Sequence, residues 1–381
     1  MQSSSLYKKS KICVFSGFFP ACSGGSEYQA YLLAKVLRDY GHDVFFAGFG
    51  GHESGQYNLE GFKIYFLNTS RALRKLGDSY FLLYPQIKEI FRMERPDIVY
   101  SRSGSAIPGM LAKLSKKMGY KFIYGIAHDN RLNESFISAG FRPFNQICYF
   151  LSLYGLKNAN LVIAQTKYQK QILKTKYGIN GLVIRNAHPI PKDALPKPKN
   201  LPKVLFVSNY RPFKRPELFV ELASYFNKGH SNCRFIMIGR KGTDRFWREK
   251  IEPAINANCN LDHLGELSQD QVNKHLNEAH LLVNTSTAEG FSNTFIQAWL
   301  RKVPVASLIV DPDHLLSKKG LGLCAGGNIM QLINNVKQLI DDQVLRESMG
   351  EKAREYAINH HAIENVGTEF CAVVESLTKQ K

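Results

Sequence analysis

The chain of 381 residues is short of acid: 50 lysines and arginines face 32 aspartates and glutamates, a formal net charge of +18 at pH 7. Between Glu134 and Asp193 there is no acidic residue, while Arg142, Lys157, Lys167, Lys170, Lys174, Lys176, Arg185 and Lys192 all fall there. The first acid of the chain, Glu27, comes only after Lys8, Lys9 and Lys11. The excess is weighted to the first half and favours an anionic partner: a membrane surface, a phosphorylated substrate or a nucleic acid. Cys-x-x-Cys is missing as well. Cys13, Cys22, Cys148, Cys233, Cys259, Cys324 and Cys371 are scattered, which argues against a zinc site and a disulfide framework and suits a reducing compartment. No stretch reaches the roughly 20 apolar residues that cross a bilayer. The first ten residues are polar, and the short apolar run 12–19 has the wrong flanks for a secretion signal, so it reads as a first strand. No G-x-G-x-x-G follows that strand, which argues against a dinucleotide oxidoreductase. Internal repeats and low-complexity tails are absent too.

What is present is alternation. Strand patterns at 11–18, 43–48, 62–67, 96–100, 122–126, 161–164 and 182–184 are separated by helical patterns at 26–40, 70–93 and 108–118 and between the last two strands. Residues 188–202 then hold five prolines, which fit neither helix interior nor central strand and mark a linker. The alternation restarts, with strands at 204–208, 235–239 and 281–284 and helices at 216–226 and 268–278. Strands alternating with helices predict parallel sheets with helical layers, here in two units.

The most informative stretch is TAEGFSNTFIQAWLRKVPVA (287–306). Glu289 precedes Gly290. Ser292 and Asn293, both good helix caps, precede an apolar run through Phe295, Ile296, Ala298, Trp299 and Leu300, and 303–306 reads as the next strand. Such a loop delivers one carboxylate to a helix start at a sheet edge, where N–H groups and the helix dipole suit a phosphate.

This stretch resembles the donor-site signature of the retaining glycosyltransferases of family 4, in which an E-G-F-G-like turn opens a helix and a second Glu lies eight residues after the first. Here that second place holds Gln297, which can accept from a hydroxyl but brings no charge. The resemblance runs from Ile12 to about Leu377 and is carried also by Phe19-Pro20, Gly24-Gly25, Gly41-His42, YGIAHD (124–129) and VSNYRPFKRP (207–216). It implies an α/β protein of the GT-B fold, two facing Rossmann-like domains with a cleft between them. The domains would be 1–190 for the acceptor, a linker at 191–202, 203–358 for the nucleotide sugar, and a helix at 359–381 crossing back to the first domain.

The resemblance also implies roles. Gly24 and Gly25 would lie near the donor diphosphate. His128, its ring oriented by Asp129, would touch the donor sugar or shape the reaction centre. Lys214 would clamp the diphosphate with Arg211, because Asn209 occupies the family's arginine position. Gly239, Arg240 and Leu264 would meet the nucleobase. Glu289 would take the sugar hydroxyls. The N–H groups of Phe291, Ser292 and Asn293, after Gly290, would meet phosphate or sugar oxygens, and Gln297 the ribose.

The expected activity is retaining transfer from a UDP- or GDP-linked sugar, with no cofactor and no metal, to a glycan or polyprenyl-linked acceptor in surface-polysaccharide or glycoconjugate synthesis. The expected location is the cytoplasm, peripheral on the inner face of an anionic membrane. There 70–93 (with Arg71, Arg74, Lys75, Lys88 and Arg92) and 145–156 are the segments to lie in the interface. Two other readings remain open. One is a nucleotide-sugar epimerase of the same fold. The other is a non-catalytic binder of polyanions, although no recognised nucleic-acid motif is present and no nucleic-acid partner is expected.

Overall fold

The computed structural model describes residues 9–22, 24–50, 53–69, 80–133, 143–192, 197, 201–228, 233–240, 245 and 247–379. The chain forms two units: Met1–Ala187 together with Ile363–Lys381, and His188–Ala362. Residues 70–79 of the helix expected at 70–93, and the segment 134–142, lie outside the described residues, as do 193–196 and 198–200 of the proline-rich stretch; the rest of 70–93 forms a 3-10 turn, Tyr80–Leu83, and the helix Tyr84–Glu94.

The first unit is built on eight strands: β1 (Lys11–Phe15), β2 (Asp43–Gly48), β3 (Gly55–Leu59), β4 (Phe62–Phe66), β5 (Ile98–Ser101), β6 (Lys121–Gly125), β7 (Leu161–Ala164) and β8 (Leu182–Val183). They lie in the order β3-β4-β2-β1-β5-β6-β7-β8. All pairs are parallel except β3 with β4. Both faces are covered, so the strands read as apolar throughout rather than alternating. Cys13, Phe15, Phe45 and Val99 turn to one face, against the helices Tyr84–Glu94, Ile107–Met118 and Lys167–Tyr177. Ile12, Val14, Phe46 and Ile98 turn to the other, against Gly25–Asp39 and Ile363–Lys379. A further helix, Pro143–Asn158, lies outside Ile107–Met118. There Gly109 faces the Leu151 backbone and Gly155 faces the Pro108 backbone, with no room for a Cβ at either.

The second unit has six parallel strands: β9 (Lys203–Val207), β10 (Arg234–Ile238), β11 (Leu261–Gly265), β12 (Leu281–Asn284), β13 (Val305–Ser307) and β14 (Gly322–Cys324), in the order β11-β10-β9-β12-β13-β14. One face packs on the helices Pro216–Lys228 and Ile329–Asp341. The other packs on Gln269–Glu278, Asn293–Trp299 and Gln343–His361.

The division of the chain differs in detail from the sequence reading. The first unit ends at Ala187, not 190, because His188 already belongs with the second: it bridges Ala362, and its N–H donates to the His361 carbonyl at 2.8 Å. The last helix begins at Ile363 rather than 359, after an extended Ala362. Strand β3 was not expected, since GQYNL is short and polar.

In each sheet the order of connection reverses once. The chain passes from β1 outward to β2 and β4, then returns to β5 on the other side. It passes from β9 to β10 and β11, then returns to β12. Loops at the carboxyl ends of strands on either side of such a reversal diverge and leave room for a ligand.

Candidate functional site

In the second unit the reversal falls between β9 and β12, and the two loops that leave it are fastened together. The loop after β9 turns through a 3-10 helix, Pro212–Lys214, and Arg215 in the left-handed region (φ 49°). The fully buried Thr285, just past β12, donates its hydroxyl to the carbonyls of Lys214 (2.7 Å) and Arg215 (2.9 Å). The Thr287 N–H donates to the Phe213 carbonyl at 2.8 Å. Two threonines thus fix the backbone on which Lys214 is carried.

That fixing brings Lys214 and Glu289 together: Lys214 Nζ donates to Glu289 Oε1. Ser286 Oγ donates to the same oxygen at 2.9 Å and accepts from Asn284 Nδ2 at 3.3 Å. The two charged side chains are only 18% and 10% exposed, so the pair sits where charge interactions are weakly screened. One cation and one carboxylate at a strand-order reversal can bind a ligand that carries both an anionic group and hydroxyls. Arg211, named beside Lys214 in the sequence, does not join them: its side chain is exposed and makes no hydrogen bond or ion pair among the described residues.

After Glu289 the chain buries Gly290 and Phe291, and Phe291 packs against His361 (4.6 Å between ring centroids). Ser292 is the N-cap of Asn293–Trp299, but its hydroxyl pairs with that of Thr294 (2.9 Å) instead of capping the first turn. Gln297, one turn on from Asn293, is 5% exposed, and its backbone carbonyl accepts from Arg301 Nη1 at 3.0 Å. A carboxylate there would need a partner to offset its burial, which a neutral amide does not. Asn293 hydrogen-bonds the buried His188, whose pKa is pushed down to about 3 by burial, against that hydrogen bond and with help from the nearby Arg301 charge.

The loops after β10 and β11 carry the residues read as nucleobase contacts. Gly239 (φ 152°) packs onto the Ser208 carbonyl and leaves no space for a side chain. Arg240 is engaged with Glu266 in a two-pronged pair, both contacts 2.8 Å, on the surface. Leu264 is 38% exposed on β11. Beneath lies a group that no motif announces. Tyr210 stacks on Trp247 (5.0 Å, 9° between planes), and both rings lie against His263. Burial raises the pKa of the Tyr210 hydroxyl, which has no hydrogen-bond partner among the described residues.

His128 and the glycine pair belong to the first unit. His128 follows β6, and its Nδ1 accepts the Asn130 N–H at 3.2 Å, so the neutral ring carries its proton on Nε2. The backbone thus holds Nδ1, and Asp129 accepts from Gln169 Nε2 at 2.7 Å. Gly24 is the N-cap of Gly25–Asp39, but the space a Cβ would fill holds the Glu27 carboxylate. An acid in a first turn complements the helix dipole, so the chain's own carboxylate occupies the helix start beside the glycine pair expected near the donor diphosphate.

Comparison with known proteins bears on the family and the fold. Residues 23–189 match the family model described as Glycosyltransferase Family 4, and residues 189–356 that described as Glycosyl transferases group 1. Over 298 residues the chain is 25% identical to a component of the human phosphatidylinositol N-acetylglucosaminyltransferase, covering 75% of the chain and 59% of that protein. It is 27% identical over 255 residues to poly(ribitol-phosphate) alpha-N-acetylglucosaminyltransferase of Staphylococcus aureus, covering 64% of the chain and 48% of that protein. The chain therefore spans about half the length of these two relatives. Among solved structures, sucrose-phosphate synthase of Thermosynechococcus elongatus superposes with a TM-score of 0.81 at 15% identity, over 98% of this chain and 100% of that one. Anabaena Alr3699/HepE in complex with UDP and glucose gives 0.75 at 17% identity, over 96% and 100%. At such identities these two likenesses speak for the fold.

Proposed function

We propose, since the chain belongs to glycosyltransferase family 4, that it moves a sugar from a nucleotide-sugar donor to a phosphate-bearing glycan or glycoconjugate acceptor with retention of configuration. The observation that carries this reading is the Lys214–Glu289 pair at the strand-order reversal of the second unit. A donor entering there exchanges partners with the pair: its diphosphate takes Lys214, and its sugar hydroxyls take the released Glu289 carboxylate. The bond from the anomeric carbon to the phosphate oxygen breaks, and negative charge grows on the leaving diphosphate, where a positioned cation stabilises the transition state. The acceptor oxygen bonds to the anomeric carbon on the same face, and its proton passes to the departing phosphate oxygen. In this reading no side chain serves as nucleophile and no metal is required.

The donor is a uridine or guanosine diphosphate sugar. A phosphate-bearing acceptor is supported by the two relatives, named for transfer to phosphatidylinositol and to poly(ribitol-phosphate). No helix among the described residues is long and apolar enough to cross a membrane. We place the protein on the cytoplasmic side with a peripheral membrane contact through the helix Pro143–Asn158.

Glu289→Ala and Lys214→Ala test the assignment. Each is expected to lower transfer at least tenfold with an unchanged circular dichroism spectrum, on the scale of losing one charged transition-state contact. Wild-type turnover in either folded variant overturns it. Conversion of the donor sugar to its epimer without acceptor would instead support an epimerase.

A further inference from the structure

The loop Arg102–Ala106 leaves β5 at the strand-order reversal of the first unit, between β1 and β5. It is tied down: Ser101 Oγ donates to the Phe15 carbonyl at 2.8 Å, and the Ser103 N–H donates to Ser101 Oγ at 3.1 Å. Arg102 is 7% exposed, yet no carboxylate pairs with it among the described residues. Its Nη2 donates to the neutral Asn186 Oδ1 at 2.9 Å, it hydrogen-bonds the buried Tyr100 hydroxyl, and its Nε has no acceptor. Ser105 is equally buried, its Oγ is also without a partner, and its backbone is held at φ 59°. The helix that follows, Ile107–Met118, has 12 residues, no side-chain cap and no acid in its first turn. A second guanidinium, that of Arg131, lies against Gly104, where a Cβ would overlap it.

A guanidinium withdrawn from water is strongly disfavoured without an anion or a full set of acceptors. An orphaned buried hydroxyl is disfavoured for the same reason. Both occur on one loop, beside an uncapped helix start and a further cation. A tetrahedral anion has oxygens enough to satisfy Arg102 Nε and Ser105 Oγ and to meet a first-turn N–H, although Pro108 contributes none.

We propose that Arg102, Ser105 and the start of the helix Ile107–Met118, flanked by Arg131, form a binding subsite for a phosphate group carried by the acceptor. This deepens the transferase reading and rests on it for the acceptor's role. The anion site itself rests on the loop.

Calorimetric titration of the full chain with inorganic phosphate, and separately with UDP, tests the subsite. Saturable phosphate binding is expected, weakened about tenfold in Arg102→Met and a few-fold in Ser105→Ala, as suits losing a charged and a neutral hydrogen bond. UDP affinity is expected to stay at the wild-type value in both. Unchanged phosphate affinity in the two folded variants overturns the proposal. So does displacement of phosphate by UDP mole for mole, which would assign the anion to the donor. If Arg102→Met does not fold for want of its bond to Asn186, Ser105→Ala decides alone, and wild-type phosphate affinity there overturns the subsite. Phosphate binding that follows the expected pattern in a chain that ignores UDP would keep the anion site and remove the transferase reading.

Discussion

Glu94 ends the helix Tyr84–Glu94 with a buried carboxylate that accepts from Lys11 Nζ (2.5 Å), Lys63 Nζ (3.1 Å) and the Tyr65 hydroxyl. Burial alone would raise its pKa. The hydrogen bonds from Lys11, Tyr65 and Lys63, with the Lys11 charge, outweigh it and hold the pKa at about 2. A depressed carboxylate stabilises the fold fully above its unfolded pKa, near 4.5, and loses that contribution as pH falls toward 2. The shift corresponds to roughly 3 kcal/mol. Glu94→Gln is therefore expected to be less stable than wild type at pH 7, with the gap in urea midpoint closing as pH drops below about 4.5. A gap independent of pH would mean the carboxylate's charge contributes nothing. Glu94 could not be singled out in the sequence, because its three partners come from distant strands. Lys214 and Glu289 could, because the spacing within a short loop fixes each one's place and the fold then brings two such loops together. The Tyr210 stack was illegible: its members lie in three separate segments with no shared motif.

Elements were more legible than contacts. The parallel strands carry apolar runs long enough to show, and Ser268 opens its helix with a capping box that the sequence displays. The segment 145–156, expected to lie in a membrane interface, forms the helix Pro143–Asn158, and apolar periodicity alone does not distinguish such a helix from one in the core. Its place is set by two glycines, Gly109 and Gly155, where backbones meet backbones. Gly155→Ala separates the two influences on such a site. Helix propensity alone favours Ala by about 1 kcal/mol. The Cβ, however, would overlap the Pro108 backbone, and forcing the helices apart costs on the order of 1–3 kcal/mol. A lower melting temperature is expected, and a higher one would show that the helices do not approach as described.

At the scale of the whole molecule, charge and apolar surface coincide in the first unit. The helix Pro143–Asn158 buries only Cys148, Gly155 and Leu156, while Phe144, Ile147, Phe150 and Tyr154 are exposed and Lys157 is its one charged residue. No acid occurs from 98 to 128 or from 143 to 192, so the neighbouring helices Ile107–Met118 and Lys167–Tyr177 present cations only. An apolar stripe beside unopposed lysines fits an anionic lipid surface. Wild type is expected to float with vesicles containing phosphatidylglycerol and to be released by high salt, and Phe150→Asp with Ile147→Asp is expected to abolish flotation. Wild type that stays unbound at low salt refutes the contact.

The helix Ile363–Lys379 lies against Gly25–Asp39, with Gly367 beside Val36 and Phe370 beside Tyr100. Its residues are the last of the first unit to be made, after the whole of His188–Ala362. On the ribosome the earlier half must therefore wait with one side of its sheet covered by Gly25–Asp39 alone while the later half is completed. Segments made early are thus sealed by one made only after the whole of the second unit.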